Sequence, residues 1–237
     1  MIFPYKLIDL THTIDEHVST WNGSCGFTQH TTLDYQECDS SVKFRMMNFS
    51  MNAGIGTHID APSHCIPGAP AIHDLPIQNL CMPCIVIDVS KQAARENYLV
   101  TQRDIIAFEN KYGTIPQDSC VMIKSGWERF WSEPEKYRNN LVFPSISLDA
   151  ANLLVQRNVY ALGIDTLSPD LPNNGFQIHQ LWLEQNKILI ENVAHLYELP
   201  PVGSFVMLCP LKIRNATESP IRLIAFIQSS EAIKNPV

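Results

Sequence analysis

The sequence predicts an α/β fold, and three observations carry that expectation. Apolar runs of strand length, rich in β-branched residues, recur along the whole chain. Three longer segments between them show helical spacing with start and stop signals. The 237 residues, 45% of them hydrophobic, are enough for one large domain with a sizeable core. No repeat, low-complexity tract or linker divides them, so 1–237 reads as a single domain. Strands mixed with a few helices suit an α/β or α+β layer arrangement, without giving the order of the sheet.

In chain order, residues 5–10 (YKLIDL), 44–51 (FRMMNFSM), 84–89 (CIVIDV) and 120–124 (CVMIK) read as strands. So do 160–164 (YALGI), 187–191 (KILIE), 204–213 (SFVMLCPLKI) and 222–227 (RLIAFI). Pro210 has no N–H for a ladder and should end or bulge its strand. Residues 101–112 read as a helix, with Thr101 able to cap, Asp104 in the first turn and Gly113 as the stop. Residues 147–157 open on Ser-Leu-Asp and place apolar residues at 150, 151, 153, 154 and 155. Residues 177–185 form a shorter helical candidate, and 126–144 reads as a long loop.

Composition excludes several classes. A net charge of −7 disfavours nucleic acid and anionic membrane as partners. No run of about 18 apolar residues could span a bilayer. The opening MIFPYKLIDLTH lacks the basic and apolar regions of a signal peptide. Seven scattered cysteines, an odd number, suit a reduced, cytoplasmic chain. The Cys81-Met-Pro-Cys84 pair could be a redox dithiol or half a zinc site. No second such pair completes a zinc site and a strand follows it, so two small buried residues are the better reading.

The densest chemistry lies in GIGTHIDAPSH, residues 54–64. His58 and Asp60 stand two apart, so one extended strand directs both to one side. An imidazole with a carboxylate suits Zn²⁺, Mn²⁺ or Fe²⁺. Gly54 and Gly56 permit close backbone approach or unusual dihedrals. Pro62 turns the chain, so His64 leaves that line and suits a neighbouring or proton-transfer role. A lone histidine is usually only hydrogen-bonded or solvated, but three such groups among glycines favour a metal site. Glu191 ends a buried run, where a carboxylate is costly unless paired or metal-bound. Asp165, amid turn formers, suits a hydrogen-bonding or capping role at least as well as a catalytic one.

These residues carry a resemblance. GTHIDAPSH resembles the signature of the metal-dependent cyclase family, which includes bacterial kynurenine formamidases and isatin hydrolase. Its pattern, H-x-G-T-H-x-D-x-P-x-H, is matched at Gly56, Thr57, His58, Asp60, Pro62 and His64. DLTH at 9–12, Trp21-Asn-Gly, KSGW at 124–127 and GIDTLSPD at 163–170 resemble further family motifs. His179 and Glu191 resemble its late His and Glu. The resemblance implies a swivelling β/β/α domain with His58, Asp60, His179 and Glu191 as metal ligands. It also implies proton transfer by His64, substrate contact by Trp21, and a homodimer or homotetramer.

Gly54 stands where the family keeps its first histidine. One cation, a weak second cation or a substitute ligand such as Asn52, Cys65 or His30 are then open. The expected function is metal-dependent hydrolysis, with zinc or manganese, of an amide (arylformamidase-like) or cyclic amide of a small molecule. Lactone or imide hydrolysis on the same site, and a catalytically weakened small-molecule binder, are the alternatives.

Overall fold

The structure, a computed structural model, describes residues 4–228. In chain order it holds β1 (Tyr5–Asp9), β2 (Phe27–Leu33), β3 (Met46–Met51), β4 (His58–Asp60), β5 (Cys81–Asp88), β6 (Leu99–Val100), α1 (Gln102–Tyr112) and β7 (Cys120–Lys124). There follow α2 (Pro134–Arg138), β8 (Ser145–Ile146), α3 (Leu148–Gln156), β9 (Ala161–Ile164), α4 (Gln177–Leu183), β10 (Ile188–Glu191), β11 (Ser204–Pro210) and β12 (Glu218–Gln228). The main sheet runs β1-β12-β11-β5-β7-β9-β10-β4, and β4 pairs back onto β12. That last pairing closes the sheet into a barrel-like ring, with β1 attached outside it. The fold is therefore mixed α/β around a barrel-like sheet.

The ring explains why its central strands are apolar throughout. β5, β7, β9 and β10 run parallel, and parallel strands are covered on both faces. Along β7, Cys120 and Met122 point into the barrel core with Ile59, Val86 and Ile190. Val121 and Ile123 point outward, onto a second core made with Phe108 of α1, Leu154 of α3 and Trp182 of α4. α1 and α3 are anchored at the starts their sequences suggested. Asp104 accepts from the Thr101 backbone N–H at 2.8 Å, and Ser147 caps α3 through the Ala150 N–H at 3.4 Å. Each such cap stabilises by about 1 kcal/mol.

Four details depart from expectation. β5 begins at Cys81, which is exposed, so only Cys84 is a buried apolar residue of that pair. β12 begins at Glu218, ahead of its apolar run. β2 (FTQHTTL) was not legible, because it pairs only with β3 and almost all of both strands faces solvent. Residues 126–144 are no open loop: they hold 3-10 turns at Trp127–Phe130 and Asn139–Leu141, with α2 between. The buried Asp165 carboxylate organises that segment, accepting from the Ser125, Gly126 and Trp127 backbone N–H groups at 2.9, 2.6 and 3.0 Å. Asp165 thus has the hydrogen-bonding role. Among the described residues, no helix is long and apolar enough to cross a membrane.

Candidate metal centre

Strand register assembles the site. Ile59 points into the barrel, so its neighbours His58 and Asp60 point to the outer face. Glu191 of β10 lies directly across from His58. Directly opposed residues of an antiparallel pair share a face, with Cβ atoms about 5 Å apart. On the other flank of β4, Glu218 of β12 lies directly across from Asp60. His179 arrives from above, on α4. The three-residue strand β4 is therefore flanked by a carboxylate-bearing strand on each side.

The four residues expected as ligands meet in one cluster. His58 Nε2 lies 3.6 Å from Asp60 Oδ1 and 3.4 Å from Glu191 Oε2. His179 Nε2 lies 3.6 Å from Asp60 Oδ2 and 3.5 Å from Glu191 Oε1. Each carboxylate offers one oxygen to each imidazole. Asp60 Oδ2 and Glu191 Oε1 are buried and have no hydrogen-bond partner. A buried carboxylate oxygen left unpaired costs several kcal/mol or so unless a cation serves it. Two donors each about 2.1 Å from a tetrahedral ion lie about 3.4 Å apart. The donor spacings are of that size, so the residues present fit a divalent cation.

The imidazoles are fixed by their other nitrogens. His58 Nδ1 donates to the Gly56 carbonyl at 2.9 Å, and His179 Nδ1 to Asp170 Oδ2 at 2.8 Å. In those tautomers both Nε2 lone pairs face the cluster, as metal ligation requires. Asp170 also accepts the Ile178 and His179 backbone N–H groups at 3.1 and 2.9 Å, so it holds the start of α4 as well. Gly56 adopts φ +61, a conformation that glycine favours. Its carbonyl also takes the Asn192 side-chain N–H at 2.9 Å. Burial opposes charge on His58, yet Glu191 and Asp60 outweigh it and push its pKa up to about 9. His179 is likewise raised, against burial, by Asp170, Asp60 and Glu191. The pocket of carboxylates demands positive charge, as protons or as a metal ion.

His64 stands beside this cluster on the turn Pro62–His64, off the line of β4. Its ring centroid is 5.9 Å from that of His179, and its Nδ1 lies 3.4 Å from Glu218 Oε2. Glu218 raises the His64 pKa, against burial. A cavity of about 440 Å³ opens over His58, His179 and His64, walled by Trp21, Leu167 and Phe176. Trp21 therefore lies at the site, its ring 5.6 Å from that of Phe176.

None of the three suggested substitutes joins the ligand groups. Among the described residues those groups are His58/Asp60/Glu218 and Asp60/His179/Glu191. His30 is exposed on β2, and the Asn52 amide lies against Gly26. Cys65 lines the cavity, but burial pushes its thiol pKa up, away from the thiolate a metal needs. Sequence reading missed Glu218, which sits in a polar stretch (NATESP) with no signal until it is paired with β4. It also gave Asp170 no role, although a buried Asp nine residues before the candidate ligand His179 is where a helix-start acceptor would sit.

Comparisons with known proteins agree with this geometry. The family model described as "Putative cyclase" matches residues 8–171. Isatin hydrolase of Roseibium aggregatum is 30% identical over 206 residues, covering 81% of this chain and 78% of the relative. Kynurenine formamidase of Bacillus cereus is 24% identical over 221 residues, covering 92% and 95%. The solved structure of isatin hydrolase A from Ralstonia solanacearum superposes with a TM-score of 0.85 at 26% identity, covering 94% of this chain and 92% of that one. Those named relatives are hydrolases, and the matched family segment contains the whole GTHIDAPSH stretch. The chain belongs to the cyclase family.

Proposed function

We propose that this chain is a metal-dependent hydrolase cleaving the C–N bond of an amide or cyclic amide on a small aromatic molecule. Arylformamidase-type cleavage is the nearest named activity. The observation that carries the reading is the convergence of two orphaned carboxylate oxygens and two fixed imidazoles at the floor of an aromatic-walled cavity. The names isatin hydrolase and kynurenine formamidase support the amide and cyclic-amide class.

His58, Asp60, His179 and Glu191 would hold the ion, and a mixed imidazole and carboxylate set suits zinc or manganese. Such an ion supplies Lewis acidity toward a carbonyl and brings water toward neutral ionisation. The chain's own groups do the rest. Trp21 and Phe176 hold the ring of the substrate. His64 takes a proton from the attacking water and returns it to the departing nitrogen, so water's OH ends on the carbonyl carbon as the C–N bond breaks. Asp170 and the Gly56 carbonyl keep both ligand imidazoles oriented.

The test uses the purified chain loaded with Mn²⁺ or Zn²⁺, against N-formylkynurenine, isatin, a lactone and an imide. Asp60→Ala is expected to lose metal and activity together; His64→Ala should lose activity and keep metal. Full activity in either variant refutes the mechanism. A lactone or imide preference moves the reaction class, and no turnover with no bound metal leaves only a binding protein.

Assembly and place follow the same reading. The β2–β3 ribbon exposes Met46, Met47 and Phe49, and a two-stranded ribbon is marginally stable alone. A second copy of this chain covers it, giving a homodimer or homotetramer. All seven cysteines are free, which supports a reducing cytoplasm.

A further inference from the structure

The position that lacks its histidine is not vacant of ligands. A Cβ built on Gly54 would lie 2.1 Å from Glu218 Oε1 and 3.3 Å from His58 Nε2. The Glu218 carboxylate therefore occupies the space a side chain at 54 would use, and the two cannot coexist there. Its strand register puts it directly across from Asp60. One atom each from His58, Asp60 and Glu218 falls within 4.8 Å of the others, the same closeness as in Asp60, His179 and Glu191. Asp60 is 1% exposed, belongs to both groups, and turns one oxygen toward each histidine. The Oδ2 turned to His179 has no partner.

We propose that Glu218 replaces the missing ligand, so that the chain holds two divalent cations bridged by Asp60: one on His58, Asp60 and Glu218, the other on Asp60, His179 and Glu191. This rests on the metal-dependent reading above. It deepens that reading by restoring the second cation from a different strand and with a carboxylate in place of an imidazole. Trading nitrogen for oxygen shifts the preference of the first position toward harder ions, Mn²⁺ or Mg²⁺ rather than Zn²⁺. Glu218 also faces His64, so the same residue couples the cation to the proton-transfer group.

The experiment titrates metal-free full-length chain with Mn²⁺ alone, reading stoichiometry by calorimetry and coupling by electron paramagnetic resonance. Wild type should take two Mn²⁺ per chain and show the broadened spectrum of a carboxylate-bridged pair. Glu218→Gln, nearly isosteric, should take one and show the six-line spectrum of an isolated ion. Gly54→His combined with Glu218→Ala should recover two, since the new imidazole enters the emptied space. If wild type and Glu218→Gln bind equally, Glu218 only positions His64 and the proposal is overturned while the metal-dependent reading stands. One ion in wild type and none in Glu218→Gln overturns the two-cation arrangement. No Mn²⁺ in wild type overturns both readings. Thermal melts of the metal-free forms check folding, and the double variant decides the matter if Glu218→Gln is unstable.

Discussion

Asp170→Asn tests how the site is held without touching its ligands. The carboxylate takes three donors: His179 Nδ1 and His179 N on one oxygen, and Ile178 N on the other. An amide can present only one oxygen. With that oxygen kept toward His179, the new NH₂ faces the Ile178 N–H, a buried donor left unsatisfied at about 1–3 kcal/mol. The His179 contact also changes from charge-assisted to neutral, losing about 1 kcal/mol more. The sum is about 2–4 kcal/mol, or a fall in Tm of about 4–16 °C for a chain of this size. Because His179 loses its orienting acceptor, metal affinity should drop about 10–100-fold. Calorimetric melting and Mn²⁺ titration of the same samples measure the two effects. A large loss of Tm with affinity within twofold of wild type would refute the orienting role and leave Asp170 as a helix-start acceptor only.

Other outcomes follow from the same structure. Asp165→Ala strips acceptors from three backbone N–H groups and the Ser125 hydroxyl. It should cost more than about 4 kcal/mol in urea unfolding, and a loss below 1 kcal/mol would contradict the clamp. His12 is half-buried, stacked on Trp131 with ring centroids 3.8 Å apart, and its Nε2 is buried without a partner. Burial, with His195 nearby, lowers its pKa from 6.5 to about 3. The unfolded chain then binds the extra proton, so His12 keeps its full contribution above pH 6.5 and loses it as pH falls toward 3, by up to about 5 kcal/mol. His12→Phe retains the stack and should flatten that acid limb in pH-resolved melts; an unchanged limb would rule His12 out as its source. Phe49→Asp on the exposed ribbon should reduce the mass in light scattering if a second copy covers it, and an unchanged oligomer would place the interface elsewhere.

Legibility divides along local and long-range lines. The fold class, three helices and most strands were visible because each rests on periodicity or a cap within about a dozen residues. Half of the site was visible for the same reason: His58 and Asp60 share one strand, so alternation alone put them on one face. Glu191 was marked by its place at the end of a buried run, but only resemblance joined it and His179 to that pair, since no local signal links α4 to β10. Glu218 was out of reach because its role comes from a pairing of β12 with β4, and Pro220 beside it disguised the strand. α2 and the neighbouring 3-10 turns are each shorter than the stretch periodicity needs, and Asp165 ties down the start of the first turn and, through Tyr137, α2. β2 was invisible because a ribbon solvated on both faces has no apolar pattern to read.

The closure of the barrel also sets an order of events. β4, at 58–60, has no neighbour near it in sequence; it is stitched between strands that begin at 188 and 218. Pairings of such high contact order form late, since a large loop must close before they are rewarded. During synthesis, GTHIDAPSH leaves the ribosome long before any strand exists to hold it. A nascent chain that has not yet made β10 cannot bring Glu191 across from His58, so the proposed ligand set stays incomplete until that strand docks. On the metal-dependent reading proposed above, acquisition of the ion would thereby report that β4 and β10 have paired.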